Sequence, residues 1–182
     1  LMALAKTWPG ADLITLPNAY GETSELVDGY VRSLNRVELT ESFEEIVSVP
    51  AGSRPRILSL DSSTSSHLFE ALLKCERPRV DLIVFDTTCF SGGSGRIRRV
   101  LDWASRAATA IVLLRSHTKL DSLGVEYGRL GSIVFPSGDG RTTTQMLETL
   151  FTETKNIVRL FGGAAIPAHF PPFVGKSSYR LL

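Results

Sequence analysis

The chain has 182 residues and a formal net charge of +1, with 43% hydrophobic and 21% charged residues. That length and composition suit one globular domain with its own core. A charge so near zero excludes the strong field that gathers nucleic acid or an anionic membrane surface, and no apolar run nears the roughly 20 residues that span a bilayer.

In chain order, strands and helices alternate. Leu1 to Lys6 reads as the end of a helix; it is too short for a signal peptide and runs into Trp8-Pro9-Gly10. Asp12-Leu13-Ile14-Thr15-Leu16 reads as a strand closed by Pro17-Asn18. A helix follows, with Thr23 or Ser24 as its N-cap and an apolar stripe of Leu26, Val27, Tyr30, Val31 and Leu34. Arg36-Val37-Glu38-Leu39 is a short strand. Thr40 then caps a helix carrying Phe43, Ile46 and Val47 on one face.

Arg56 to Asp61 is the next strand, followed by a run of hydroxyls, Ser62-Ser63-Thr64-Ser65-Ser66, and a helix from His67 to about Cys75. The strand Asp81 to Asp86 leads through the loop Ser91-Gly92-Gly93-Ser94-Gly95 into a helix over about Arg96 to Arg106. Ala110 to Leu114 forms a strand that ends at Ser116-His117-Thr118-Lys119. Gly131 to Phe135 is a sixth strand, and a long helix over about Thr142 to Phe161 is stopped by Gly162-Gly163. Near-continuous apolar strands between helices predict a three-layer αβα fold around a mostly parallel sheet.

Two strand ends carry chemistry. One delivers a carboxylate, Asp86, and the next delivers an amine, Lys119, at the end of the sheet where α/β proteins bind ligands. An amine that forms a Schiff base and a carboxylate that holds a pyridine nitrogen protonated are the pair that pyridoxal phosphate chemistry requires.

The surrounding residues carry a family resemblance. Asp86-Thr87-Thr88-Cys89-Phe90 resembles the Asp-Asn-Thr-Phe/Tyr segment of the cystathionine lyase and synthase group, and Ser116-His117-Thr118-Lys119 resembles its Ser-Ala-Thr-Lys. Arg129-Leu130-Gly131 is similar to the Arg-Leu-Gly that follows the lysine in many aminotransferases. Together these resemble the large domain of fold type I pyridoxal-phosphate-dependent enzymes over roughly residues 1 to 165.

The resemblance implies roles. Lys119 would carry pyridoxal 5'-phosphate and act as general base at the substrate α-carbon, and Asp86 would pair with the ring nitrogen. Ser116 and Arg129 would hold the cofactor phosphate, and Thr88 joins the cofactor-binding set. The resemblance also implies an antiparallel strand after the lysine, a homodimer with the site near the subunit interface, and an amino acid or other amine as substrate. The reaction would be transamination or a lyase-type elimination or replacement.

Departures accompany the likeness. The family places an asparagine for the cofactor's phenolic oxygen where this chain has Ser62 to Ser66, so a serine or threonine hydroxyl must make that contact. Cys89 stands where aminotransferases often have a tyrosine. The phosphate cup and the ring-stacking aromatic are expected before the first strand, and the substrate-carboxylate arginine in a C-terminal domain. Residues 166–182 would then be a linker toward that domain, and this stretch alone would be an incomplete enzyme.

Two other readings stay open: a relative that keeps the fold without the cofactor, and an unrelated doubly wound module with a ligand at Gly92-Gly93. Cys75 and Cys89 form neither a metal pair nor a disulfide framework, and read as reduced thiols of a cytoplasmic protein. No histidine pair has metal-ligand spacing, and the Arg96, Arg98 and Arg99 cluster reads as a solvated helix face.

Overall fold

The computed structural model describes residues 1–39, 54–75, 79–91, 93–107, 110–117, 131–135 and 141–163, with the backbone alone described for 141–144. The expected helix after Thr40 lies outside the described residues, as do Lys119 and Arg129.

The elements are α1 (Met2–Thr7), β1 (Asp12–Thr15), α2 (Gly21–Tyr30), β2 (Asn35–Glu38), β3 (Arg56–Leu60) and α3 (Ser66–Leu73). Then come β4 (Leu82–Asp86), α4 (Gly95–Arg106), β5 (Ala110–Ser116), β6 (Gly131–Val134) and α5 (Arg141–Leu160). Among the described residues the six strands form one sheet in the order β2-β1-β3-β4-β5-β6. The first five are parallel, and β6 runs antiparallel to β5, as the resemblance implied.

Register sorts the strand residues into two faces, because successive side chains point to opposite sides. Leu58 lies beside Ile83, and Ile83 beside Ile111. These pack with Phe69 and Leu72 of α3 and with Val100, Trp103 and Ala104 of α4. On the other face Leu13, Ile57, Leu82, Ala110 and Val112 meet Leu4 of α1, Val27 of α2, and Leu147 and Leu150 of α5. The result is the three-layer αβα arrangement. On this second face α1 and α5 are joined by an ion pair, Lys6 Nζ to Glu153 Oε2 at 2.6 Å.

Helix starts follow local capping. Ser65 Oγ accepts the Leu68 amide at 3.3 Å to begin α3, and Ser94 Oγ accepts the Arg96 amide at 3.3 Å to begin α4. At the end of α5, Gly162 takes φ +73° while the Gly163 amide donates to the Val158 carbonyl at 2.8 Å, so the glycine stop read from sequence is real. The start of α2 differs from expectation. Thr23 is already inside the helix and Tyr20 is the N-cap, without a side-chain cap of its own. The turn preceding it puts Asn18 at φ 61°, a conformation asparagine tolerates better than most residues. Asp81 also falls outside β4, because its carboxylate accepts the Arg56 amide at 2.8 Å and closes the entry to β3 instead.

Strand order reverses at β1. Its successor β2 lies on one side and β3 on the other, so the crossovers diverge and leave a crevice at the strands' C-terminal ends.

Phe85 anchors the core on the α3/α4 face. It is fully buried, with ring centroids 6.4 Å from Phe69 and 5.5 Å from Phe90. Phe85→Ala is expected to lower unfolding free energy by about 3–5 kcal/mol, measured by urea titration.

Candidate active site

The site is built on the turn after β4. Asp86 Oδ1 accepts the Thr88 amide at 2.8 Å, an Asx turn that holds the carboxylate at the strand end. Its other oxygen, Oδ2, takes no hydrogen bond among the described residues. The turn is stitched to β5. Thr87 donates its amide and its hydroxyl to the Leu114 carbonyl, at 2.8 and 2.9 Å. Thr88 Oγ1 accepts the Ser116 amide at 2.9 Å. Arg115 Nη1 donates to the carbonyls of Thr87 at 2.7 Å and Phe90 at 2.8 Å, closing the far side. Thr87 and Thr88 are both buried.

Asp86 lines a cavity of about 80 Å³ at the crevice between β1 and β3. Leu13, Val84 and Leu114 form its floor on the sheet, and Leu1 and Leu4 close it from the α1 side. Its polar wall is Tyr20, Thr23, Ser59 and Asp61 together with Asp86. Among the described residues no Lys or Arg lines it. Two carboxylates on one wall suit a ligand group that brings positive charge.

Of the candidate residues read from sequence, Asp86 reaches this cavity. Ser116 ends β5 two residues beyond Leu114, on the same side of the strand. Thr88 lies between the two, its hydroxyl tying the Asp86 turn to the Ser116 amide. His117 Nε2 lies 2.9 Å from Ser132 Oγ, linking the start of the lysine-bearing segment to β6. The positions of Lys119 and Arg129 lie outside the described residues.

Sequence reasoning missed Tyr20, Thr23 and Asp61. The aromatic residue of this cavity among the described residues is Tyr20, which follows β1. The available signal was Tyr20-Gly21, sitting at the end of an apolar strand where a crevice opens.

A second, open groove of about 590 Å³ lies beside the start of α4, bounded by Ser62, Glu70, Cys89, Ser94, Arg96 and Arg99. It is larger, yet its cations are already engaged. Arg96 Nη2 donates to Ser66 Oγ at 2.6 Å with its guanidinium 5.6 Å from the centre of the Phe69 ring, and Arg99 pairs with Glu70 at 2.5 Å. The Arg99 hydrogen bond holds the Glu70 carboxyl below its ordinary value. The smaller cavity lies at the switch point and contains a carboxylate oxygen with no partner among the described residues. Gly92, in the loop before α4, lies outside the described residues.

Among the described residues no three His, Cys, Asp or Glu side chains come together as a metal site, and no helix is long and apolar enough to cross a membrane.

The fold is that of aminotransferases. The aromatic amino acid aminotransferase from Burkholderia cenocepacia J2315 matches with a TM-score of 0.59 at 16% identity, over 95% of this chain and 46% of that one. The metB protein from Corynebacterium glutamicum matches at 0.55 and 20% identity, over 86% of this chain and 39% of that one. The aromatic-amino-acid aminotransferase from Burkholderia pseudomallei, solved covalently bound to pyridoxal phosphate, matches at 0.54 and 15% identity, over 85% and 42%. The chain spans less than half the length of each of these proteins. No family model and no curated protein sequence matches it.

Two outcomes are expected. Thr88→Val removes the hydroxyl that accepts the half-buried Ser116 amide and should cost about 1–3 kcal/mol in thermal or urea unfolding, whereas Thr88→Ser should cost less. Burial pushes the Cys75 thiol up, so less thiolate is present at neutral pH, while Cys89 is exposed. Iodoacetamide at neutral pH should therefore alkylate Cys89 before Cys75, as read by peptide mass.

Proposed function

We propose that this chain is the cofactor-holding large domain of a pyridoxal-phosphate-dependent enzyme that acts on an amino acid, as an aminotransferase or as a lyase of the Cys/Met-metabolism type. The observation that carries this reading is Asp86, a strand-end carboxylate with one oxygen unengaged among the described residues, on the wall of a cavity at the sheet's switch point. The aminotransferase-like fold supports it, as does the Ser-x-Thr-Lys segment one strand further on.

The described residues suit the cofactor on two counts. Asp86 Oδ2 is available to accept a hydrogen bond from a protonated ring nitrogen. In the stretch where the family has an asparagine, Thr64 keeps a buried hydroxyl with no hydrogen-bond partner among the described residues. When bound, pyridoxal phosphate supplies an electron sink for negative charge at the substrate α-carbon. In this reading Lys119 holds the cofactor covalently and then moves the proton at that carbon. Ser116 donates its hydroxyl to the phosphate, and Arg129 adds a charge-assisted bond to it. Thr88 keeps Asp86 and Ser116 in register with each other, and Tyr20 supplies an aromatic wall.

The same resemblance supports a homodimer with the site near the subunit interface. A cytoplasmic location rests on reading Cys75 and Cys89 as reduced thiols. One observation favours a second reading, a relative without the cofactor: hydroxyls alone occupy Ser62 to Ser66, where an asparagine is expected.

Borohydride treatment of the intact protein with pyridoxal phosphate, followed by peptide mapping, is expected to fix the label on Lys119. Label on another lysine, or none, contradicts the reading, and Lys119→Ala should abolish fixation. Asp86→Ala should slow turnover by roughly 100-fold or more, with a smaller loss of cofactor affinity.

A further inference from the structure

We infer that Asp61 is a positioning residue, whose carboxylate sets Tyr20 against the cavity and thereby governs how tightly a ring is held there. The inference rests on the pyridoxal phosphate reading above.

Asp61 is 8% exposed, and among the described residues no cation pairs with it. A buried carboxylate in that state needs hydrogen-bond donors, and its donors are backbone amides. Oδ2 accepts the Tyr20 amide at 2.9 Å, and Oδ1 accepts the Ser63 amide at 2.7 Å.

The first of these bonds has a consequence for α2. Tyr20 is the N-cap of that helix and no side-chain hydrogen bond caps it; the Thr23 amide folds back to the Tyr20 carbonyl at 3.0 Å, and the positive helix end favours a negative group. Asp61 adds a negative charge to that of Glu22 in the first turn, and brings it from 41 residues away in sequence. It also joins the loop after β1 to the loop after β3, across the crevice where the sheet changes direction.

The two carboxylates of the cavity therefore differ. Both Asp61 oxygens are engaged by the frame, while Asp86 spends one oxygen on its turn and presents the other.

The experiment is a double-mutant cycle on the intact protein, read as the Kd for pyridoxal phosphate per folded molecule and as the position of its visible absorption band. Asp61→Asn is expected to raise the Kd roughly tenfold and shift the band, as expected for loss of a charge-assisted hydrogen bond. Tyr20→Ala is expected to do the same. The double variant should bind no more weakly than Tyr20→Ala alone, because Asp61 acts through Tyr20. Losses that add, or an unchanged Kd and band in Asp61→Asn with only a lower melting temperature, overturn the inference and leave the cofactor reading standing. Wild-type protein that takes up no pyridoxal phosphate overturns the cofactor reading itself, and this inference with it. Should Asp61→Asn fail to fold, amide exchange of wild-type Tyr20 decides: slow exchange is expected, and exchange as fast as in an open loop overturns the inference.

Discussion

The Leu114 carbonyl accepts two hydrogen bonds from Thr87, and the Thr88 hydroxyl accepts the Ser116 amide. These bonds fasten the turn after one strand to the end of its neighbour. A carboxylate at a free strand end would move with its loop. Here Asp86 is held by its own Asx turn, the turn is held by β5, and Arg115 holds the far side through the carbonyls of Thr87 and Phe90. Preorganisation of this kind holds the carboxylate at a cavity wall, with one oxygen unengaged among the described residues, without the turn collapsing onto it.

The position of the cavity follows from topology. The chain leaves β1 toward β2 and returns on the other side to make β3, so the connections part at the strands' C-terminal ends. Hydrophobic burial fixes the surroundings: α3 and α4 seal one face of the sheet, and α1, α2 and α5 the other. What remains open is a small space roofed by Leu1 and Leu4, with Asp61 and Asp86 at adjacent strand ends. Two carboxylates on one wall are tolerated because backbone amides compensate the first of them.

Much of the framework was legible in the sequence because it is local. Apolar runs such as Leu82 to Phe85 and Ala110 to Leu114 identify buried parallel strands, and Gly162 identifies a helix end. Asp86 was legible because it directly ends such a run. The antiparallel β6 came from the resemblance alone, since Gly131 to Val134 contains nothing that specifies direction. Tyr20 and Asp61 were hidden for a different reason. Their contact spans 41 residues and uses a backbone amide, which leaves no side-chain pattern to read. The start of α2 was misplaced for the same reason: Thr23 looks like a cap, but the helix begins earlier, where a distant carboxylate replaces the local one.

The central proposed contact is Asp86 Oδ2 with a protonated ring nitrogen. Nitrogen-15 NMR of the intact protein loaded with ring-labelled pyridoxal phosphate measures that contact directly. The account predicts a ring nitrogen with the chemical shift of the protonated form, moved toward the unprotonated shift in Asp86→Ala. An unprotonated ring nitrogen in the wild-type protein would contradict it.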